Sequence, residues 1–96
     1  MGQRARYRPQ LLGAKILQIR RSLGLSQSQL ARLLDVSVSS ARMSEYEHGL
    51  REPPLMVLLA YGYLVGVSTD DLLDDNVDLP ALIRIKRRRK RVTLRS

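Results

Sequence analysis

The amino-acid sequence predicts an all-α fold, a compact domain of five helices with a basic arm at each end. Apolar residues recur at intervals of three and four, and serine and glycine capping signals separate the segments that carry them. No alternating pattern typical of a strand occurs before residue 80. A chain of 96 residues has room for one small domain. We therefore predict an N-terminal arm over 1–9, a helical domain over 10–78 and a C-terminal tail over 79–96.

The first two helices each show an apolar face and a recognisable boundary. The first carries apolar residues at successive spacings of four, three and four: Leu12, Ile16, Ile19 and Leu23. Gly24 follows in the position where glycine commonly ends a helix. Ser26 and Gln29 form a capping-box pattern, which predicts that the second helix begins near Gln27.

The third helix follows a turn, over 35–40, that is rich in serine and β-branched residues. We predict this helix from about Ser40 to His48, with Gly49 at its end. A partly cationic imidazole suits the C-terminal end of a helix dipole. We therefore interpret His48 as a residue that stabilises the end of this helix rather than as a metal ligand.

The fourth and fifth helices are bounded by proline, glycine and serine. The fourth begins at Pro54 or Leu55, because proline is tolerated in a first turn and not in a helix interior. It is apolar on almost every side up to Gly66, which indicates burial on several sides or an interface. Ser68 predicts the cap of a short fifth helix that ends near Asp74.

The charge is distributed in blocks rather than evenly. The net charge is +6 over residues 1–24, −1 over 25–52, −5 over 53–78 and +8 over 79–96. Two cationic arms on either side of a slightly acidic core favour a polyanionic partner. Nucleic acid is the first candidate, an anionic membrane surface is the second, and solvated tails that aid solubility are the plain alternative.

The composition argues against an enzyme and against a metal or cofactor protein. The chain has no cysteine and a single histidine, which removes thiolate sites and thiol nucleophiles and nearly excludes a multi-histidine site. No continuous apolar stretch reaches the roughly 18 residues of a membrane span. We expect no catalytic site, no metal, no cofactor, no membrane association and no small-molecule substrate.

The acidic residues near the end of the helical region do not form a convincing site. Residues 74–78 match the first three ligands of a calcium loop, but Leu79 and Ile85 stand where that loop requires glycine and glutamate. We interpret Asp70 and Asp71 as complementing a helix dipole. The pair at 74–75 is interpreted as solvated.

Two segments carry a resemblance to a known family. Residues 25–34 read Leu-Ser-Gln-Ser-Gln-Leu-Ala-Arg-Leu-Leu, and residues 43–49 read Met-Ser-Glu-Tyr-Glu-His-Gly. Over about residues 11–75 the sequence resembles the phage-repressor-like helix-turn-helix family, often called the xenobiotic-response-element (XRE) type. The resemblance implies a lambda-repressor-like fold and a sequence-specific regulator of transcription, most often a repressor, that inserts its third helix into the major groove of duplex DNA.

The turn between the second and third helices departs from the usual family pattern. The pattern is met only if two extra residues are accepted, most simply Val36–Ser37 or Val38–Ser39. Asp35 also stands where the family has glycine, which adopts a positive φ without strain. A longer turn can shift the third helix along the groove, so it bears on the register of base contacts rather than on the fold.

The resemblance assigns base-contacting positions to Ser40, Ala41, Arg42 and Glu45. Arg42 is the strongest candidate, because a guanidinium binds guanine O6 and N7 in a bidentate way. Glu45 can accept a hydrogen bond from cytosine N4, or can instead pair with Arg42 three residues earlier on the same helix. Ala41 can touch a thymine methyl or serve as a spacer.

Other positions are assigned to phosphate contact or to structure. The expected phosphate contacts are Gln27, Ser39, Arg51, Arg4, Arg6 and Arg8. For Gln27, a simple preference for the start of a helix is the alternative. Arg20 and Glu47 occupy family positions that pair, which would tie the first helix to the third.

Duplex DNA is therefore the expected partner, and the family implies a homodimer on a palindromic site in the cytoplasm, on the nucleoid. The fourth helix and residues 82–85 are candidate dimer surfaces, although either can belong to the core. The alternative from another functional class is a protein-binding adaptor or antitoxin-like partner. Such a protein would have only non-specific DNA affinity from its basic tails.

Overall fold

The computed structural model describes residues 8–86, and every regular element within them is a helix. The helices are α1 (Leu12–Leu23), α2 (Gln27–Leu34), α3 (Ser40–Glu47), α4 (Leu55–Val65) and α5 (Thr69–Leu73). The prediction of an all-α, five-helix domain is confirmed. Among these residues, no helix is long and apolar enough to cross a bilayer.

Helix boundaries are set by side-chain caps and by left-handed glycines. At α2, Ser26 Oγ accepts from the Gln29 backbone N–H at 3.0 Å, while Gln29 Oε1 accepts from the Ser26 N–H at 2.8 Å. This is a complete capping box, and it satisfies two backbone donors at once. Gly24 and Gly66 end α1 and α4 with φ of 69° and 78°, a region that disfavours residues with a Cβ.

The core lies where α1 and α4 meet the other helices. The largest side chains with less than 2% exposure come from all five helices: Tyr61, Ile16, Ile19, Leu30, Met43 and Leu72. The hydroxyl of Tyr61 is buried and has no hydrogen-bond partner among the described residues. Burial raises the pKa of this phenol far above its usual value, because the phenolate would lose its hydration.

Side chains from the segments of α1 and α5 form hydrogen bonds with backbone groups at each other's helix ends. The Asp75 carboxylate accepts from the backbone N–H of Gln10 at 2.9 Å and of Leu11 at 2.9 Å, just before α1. Lys15, only 4% exposed, donates its Nζ to the carbonyls of Asp71 at 2.6 Å and Asp74 at 2.7 Å. The interpretation of the 74–75 pair as merely solvated is therefore wrong, because Asp75 caps a helix distant in sequence and the Asp74 carbonyl binds a buried ammonium.

The packed chain continues past residue 78, where the helical domain was predicted to end. Leu79 and Ile83 are buried in the core, with 8% and 5% exposure. The Lys86 backbone N–H donates to the Leu64 carbonyl at the end of α4, at 2.7 Å. Residues 79–86, a segment we call the strap, are neither helix nor strand. The predicted domain of 10–78 thus leaves out residues that the core buries.

Candidate nucleic-acid interface

The turn between α2 and α3 spans residues 35–39 and is anchored by alternating side chains. Asp35 ends α2 with φ of 59°, the one positive φ at a described residue other than glycine. Val36 and Val38 are partly buried against the core, while Ser37 and Ser39 are exposed. The long turn is therefore attached to the domain by two valines, and it is not a loose loop.

Helix α3 has one buried side and one exposed side. Met43, Tyr46 and Glu47 are buried, whereas the residues of the first turn, Ser40, Ala41 and Arg42, are exposed. An α-helix fits the major groove of B-DNA, and the N-terminal residues of a recognition helix meet base edges there. The exposed first turn of α3 is thus available for such contacts.

Two predicted phosphate ligands lie at helix N-termini. Ser39 Oγ accepts from the Arg42 backbone N–H at 3.1 Å and so caps α3. Since a hydroxyl has one donor as well as two acceptor positions, Ser39 retains a proton to donate. Gln27 begins α2, and its Nε2 donates to Glu47 Oε1 at 3.1 Å. The second Nε2 hydrogen is not used by that bond, and the dipole of α2 favours an anion at this end.

Arg20 and Glu47 join α1 to α3 through a bidentate ion pair. Arg20 Nε donates to Glu47 Oε2 at 2.7 Å and its Nη2 donates to Oε1 at 3.0 Å, while Nη1 binds the Leu25 carbonyl at 3.0 Å. The side chains are 19% and 2% exposed. The hydrogen bond to Glu47 raises the pKa of Arg20, partly opposed by burial. With Gln27, this network fixes α1, α2 and α3 relative to one another.

Glu45 lies between two exposed arginines. Its Oε1 is 3.0 Å from Arg42 Nε within α3, and it accepts a hydrogen bond at 3.0 Å from Nε of Arg51, which follows α3. The i,i+3 pairing with Arg42 was one of two interpretations left open by the sequence. The contact with Arg51 was not foreseen, because the reversal of the chain after Gly49 brings Arg51 back beside α3 and no local pattern signals that proximity.

Of the arginines in the N-terminal arm, Arg8 is described, whereas Arg4 and Arg6 lie outside the described residues. Arg8 is exposed and its Nε is 3.4 Å from Glu52 Oε2. His48 Nδ1 is 2.9 Å from the Ser44 carbonyl, so the ring caps the end of α3. Residues 8–86 contain no group of three histidine, cysteine, aspartate or glutamate side chains placed to hold a metal ion.

Five of the nine acidic residues lie in or shortly after α5. Helix α3 packs on α1 and α2, whereas α5 packs on α1 and α4. The exposed aspartates Asp70, Asp71, Asp74 and Asp78 are on or next to α5. The helix that carries Arg42 and the helix beside these aspartates thus both pack on α1.

Comparison with known proteins agrees with this architecture. A family model described as "Helix-turn-helix domain" matches residues 11–75, which is most of the chain. Neither the curated proteins nor the solved structures gave a match. The matched range spans all five helices, including the α2–turn–α3 unit. Domains of this family are typically DNA-binding and non-enzymatic. This match is consistent with the XRE-like resemblance, and the chain belongs to the helix-turn-helix domain family.

Proposed function

We propose that this protein is a sequence-specific regulator that binds duplex DNA with α3 in the major groove, most simply as a repressor. The observation that carries the proposal is the first turn of α3. Ser40, Ala41 and Arg42 are exposed there, while Met43 and Glu47 fix the opposite side of the same helix to the domain. A rigidly attached helix with an exposed N-terminal turn is what major-groove readout requires.

The division of labour follows from the chemistry of the side chains. Arg42 reads a guanine through O6 and N7, Ser40 bonds a neighbouring base edge, and Ala41 lies against a thymine methyl. Two phosphate contacts come from the starts of helices, namely Gln27 at α2 and Ser39 at α3. The others come from arginines: Arg51 and Arg8 in the described part of the chain, and Arg4 and Arg6 in the N-terminal arm. If four phosphates are neutralised, log K falls with log salt at a slope of about −3.6.

The proposal includes a homodimer, because two copies of α3 one helical turn apart read a palindrome. Large exposed apolar side chains occur on α4 and on the strap: Leu55, Met56, Tyr63, Leu82 and Ile85. We expect Met56→Glu and Leu82→Glu to shift sedimentation equilibrium towards the monomer. Wild-type chain that sediments as a monomer at all concentrations, with and without its preferred duplex, would remove the dimer from the proposal.

The decisive experiment is selection from random duplex DNA at about 150 mM salt, near physiological screening. We expect enrichment of inverted half-sites whose centres are about one helical turn apart. Arg42→Ala should then weaken binding to the enriched duplex roughly 5- to 150-fold, the loss of one bidentate contact. Arg84→Ala is the charge-matched control, since Arg84 is exposed on the strap. It should weaken enriched and scrambled duplexes alike.

A second function, a protein-binding adaptor, is favoured by one observation. Leu50, Leu55 and Met56 lie close together in sequence between α3 and the start of α4, and they are 75%, 61% and 70% exposed. Contiguous exposed apolar surface commonly marks a protein interface. An adaptor with basic tails would retain all duplexes equally and lose affinity steeply with salt. The selection experiment therefore separates the two functions.

A further inference from the structure

The single carboxylate of Glu45 joins two cations from different parts of the chain. Arg42 lies on α3, and Arg51 lies in the connection between α3 and α4. Both approach the same oxygen, Oε1, through Nε at 3.0 Å, although all three side chains are well exposed, at 46%, 52% and 38% for Arg42, Arg51 and Glu45. Long exposed side chains lose conformational entropy when they are held in this way. The arrangement therefore restricts two arginines that would otherwise sample many rotamers.

The atoms that Glu45 engages leave the terminal edges of both arginines available. A guanidinium has five N–H donors, and a bidentate contact needs two neighbouring ones. Within residues 8–86, the terminal nitrogens of Arg42 and Arg51 make no hydrogen bond. Glu45 Oε1 accepts a hydrogen bond from Arg51 Nε and forms an ion pair with Arg42 at Nε. Each arginine therefore keeps its Nη1 and Nη2 pair for guanine O6 and N7 or for a phosphate.

The same geometry argues against Glu45 as a cytosine ligand. Its Oε1 is shared by two cations, which leaves Oε2 as the oxygen that a base contact would use. A carboxylate close to DNA phosphates is repelled unless neighbouring cations compensate for its charge. Here two arginines compensate it, and turning towards a base would disturb both contacts.

We propose that Glu45 is a positioning residue that orients Arg42 for base readout and Arg51 for phosphate contact, rather than a base ligand itself. The inference rests on the proposed function, because it assigns Glu45 a part in reading the operator. It also makes a claim about the free protein, namely that Glu45 holds both arginine side chains before DNA binds.

The test on DNA is a double-mutant cycle of Glu45→Ala and Arg42→Ala, measured as the affinity ratio between preferred and scrambled duplexes. We expect Glu45→Ala to lower this ratio about tenfold when Arg42 is present, as a misaligned bidentate contact would. In the Arg42→Ala background the same change should lower it less than twofold. A direct cytosine contact would instead give equal losses in both backgrounds, and that result overturns the proposal.

Two further variants make the cycle specific. Glu45→Gln retains an oxygen acceptor at the same reach, so it should restore at least half of the lost preference on a logarithmic scale. Glu52→Ala is the matched control, because it removes the same charge from a side chain of similar exposure, 35%, that pairs with Arg8. It should leave the preference unchanged, and a loss equal to that of Glu45→Ala would show an effect of charge alone and overturn the proposal.

The test on the free protein uses the Nε–Hε resonances of Arg42 and Arg51 in heteronuclear NMR. Both should shift in Glu45→Ala and neither in Glu52→Ala, while the remaining spectrum reports an intact fold. If neither arginine resonance responds to Glu45→Ala, the positioning role is refuted whatever the DNA results. If the wild-type chain prefers no duplex, the proposed function and the reading role both fail. The resonances then decide separately whether Glu45 holds the arginines.

Discussion

Glu47→Ala should be the most destabilising single change at the junction of the first three helices. Glu47, 2% exposed at its side chain, accepts two hydrogen bonds from Arg20 and one from Gln27. Removing one partner of a buried ion pair costs about 3–5 kcal/mol, because the remaining charge is left uncompensated. Arg20 is 19% exposed and keeps its bond to the Leu25 carbonyl, which places the expected loss at the lower end, about 3 kcal/mol.

The loss is measurable as a change in the free energy of unfolding, followed by circular dichroism in urea. In a chain of this size each kcal/mol shifts the melting temperature by about 4–8 °C, so the expected decrease is roughly 12–24 °C. Glu45→Ala is the matched control on the same helix, and it should cost about 1 kcal/mol or less because exposed ion pairs contribute little. A loss from Glu47→Ala no larger than that of the control would refute the reasoning.

The cause of the loss can be separated from its size by removing both charges. Replacing Arg20 with Met and Glu47 with Leu together leaves no unpaired charge, and apolar replacement of a buried pair is often neutral or stabilising. We expect the double variant to regain most of the stability that Glu47→Ala loses. If it is as unstable as the single variant, the cost comes from lost shape or from the Gln27 bond rather than from an unpaired cation.

Three further predictions concern the fold. Tyr61→Phe should be neutral or stabilising by up to about 1 kcal/mol at pH 7, because the buried hydroxyl has no hydrogen-bond partner within residues 8–86. Burial also raises the pKa of Tyr61 in the folded state. In urea titrations at several pH values, wild type should therefore lose stability as pH rises above 10, by about 1.4 kcal/mol per pH unit more than the variant. Gly13→Ala should lower the free energy of unfolding by about 1–3 kcal/mol, because the new Cβ would lie 2.7 Å from a backbone carbonyl oxygen of α3. The control is Ser22→Ala, at an exposed position on the same helix, which should change the melting temperature little. Asp75→Asn should lower the unfolding free energy by about 1 kcal/mol through the weakened cap of α1, and an equal effect from exposed Asp78→Asn would contradict that explanation.

Much of the fold is predictable because it depends on local chemistry. The Ser26 and Gln29 pattern specifies a cap that uses atoms only three residues apart, and the structure contains both of its hydrogen bonds. Gly24 and Gly66 stand where positive φ is adopted. These signals are complete within a few residues, so the sequence alone locates the helices to within about a residue.

Contacts between residues distant in sequence were not predictable in the same way. Asp75 caps α1 across 64 residues, and nothing near Asp75 distinguishes it from a solvated carboxylate. Lys15 offered a partial signal, because it lies on the apolar face of α1 next to Ile16. A lysine at such a position must find oxygen acceptors when buried. Its actual acceptors, backbone carbonyls of α5, depend on how the two helices cross.

The predicted end of the helical domain at residue 78 depended mainly on charge. Residues 79–96 carry a net charge of +8, and a run of cations is usually unstructured without a partner. Leu79 and Ile83, the apolar residues that precede the cationic run, are nevertheless buried in the core. Among the described residues, burial in the core therefore extends to Ile83, past the predicted end of the helical domain at residue 78.

The arrangement of the helices connects stability to the proposed DNA binding. Helix α1 packs against both α3 and α5. One of its cationic side chains binds each of these helices. Arg20 fixes α3 through Glu47, while Lys15 fixes α5 through the Asp71 carbonyl. One helix thus fixes the positions of both α3 and α5. If α3 enters the major groove as proposed, its orientation there is set by interactions buried within the protein itself.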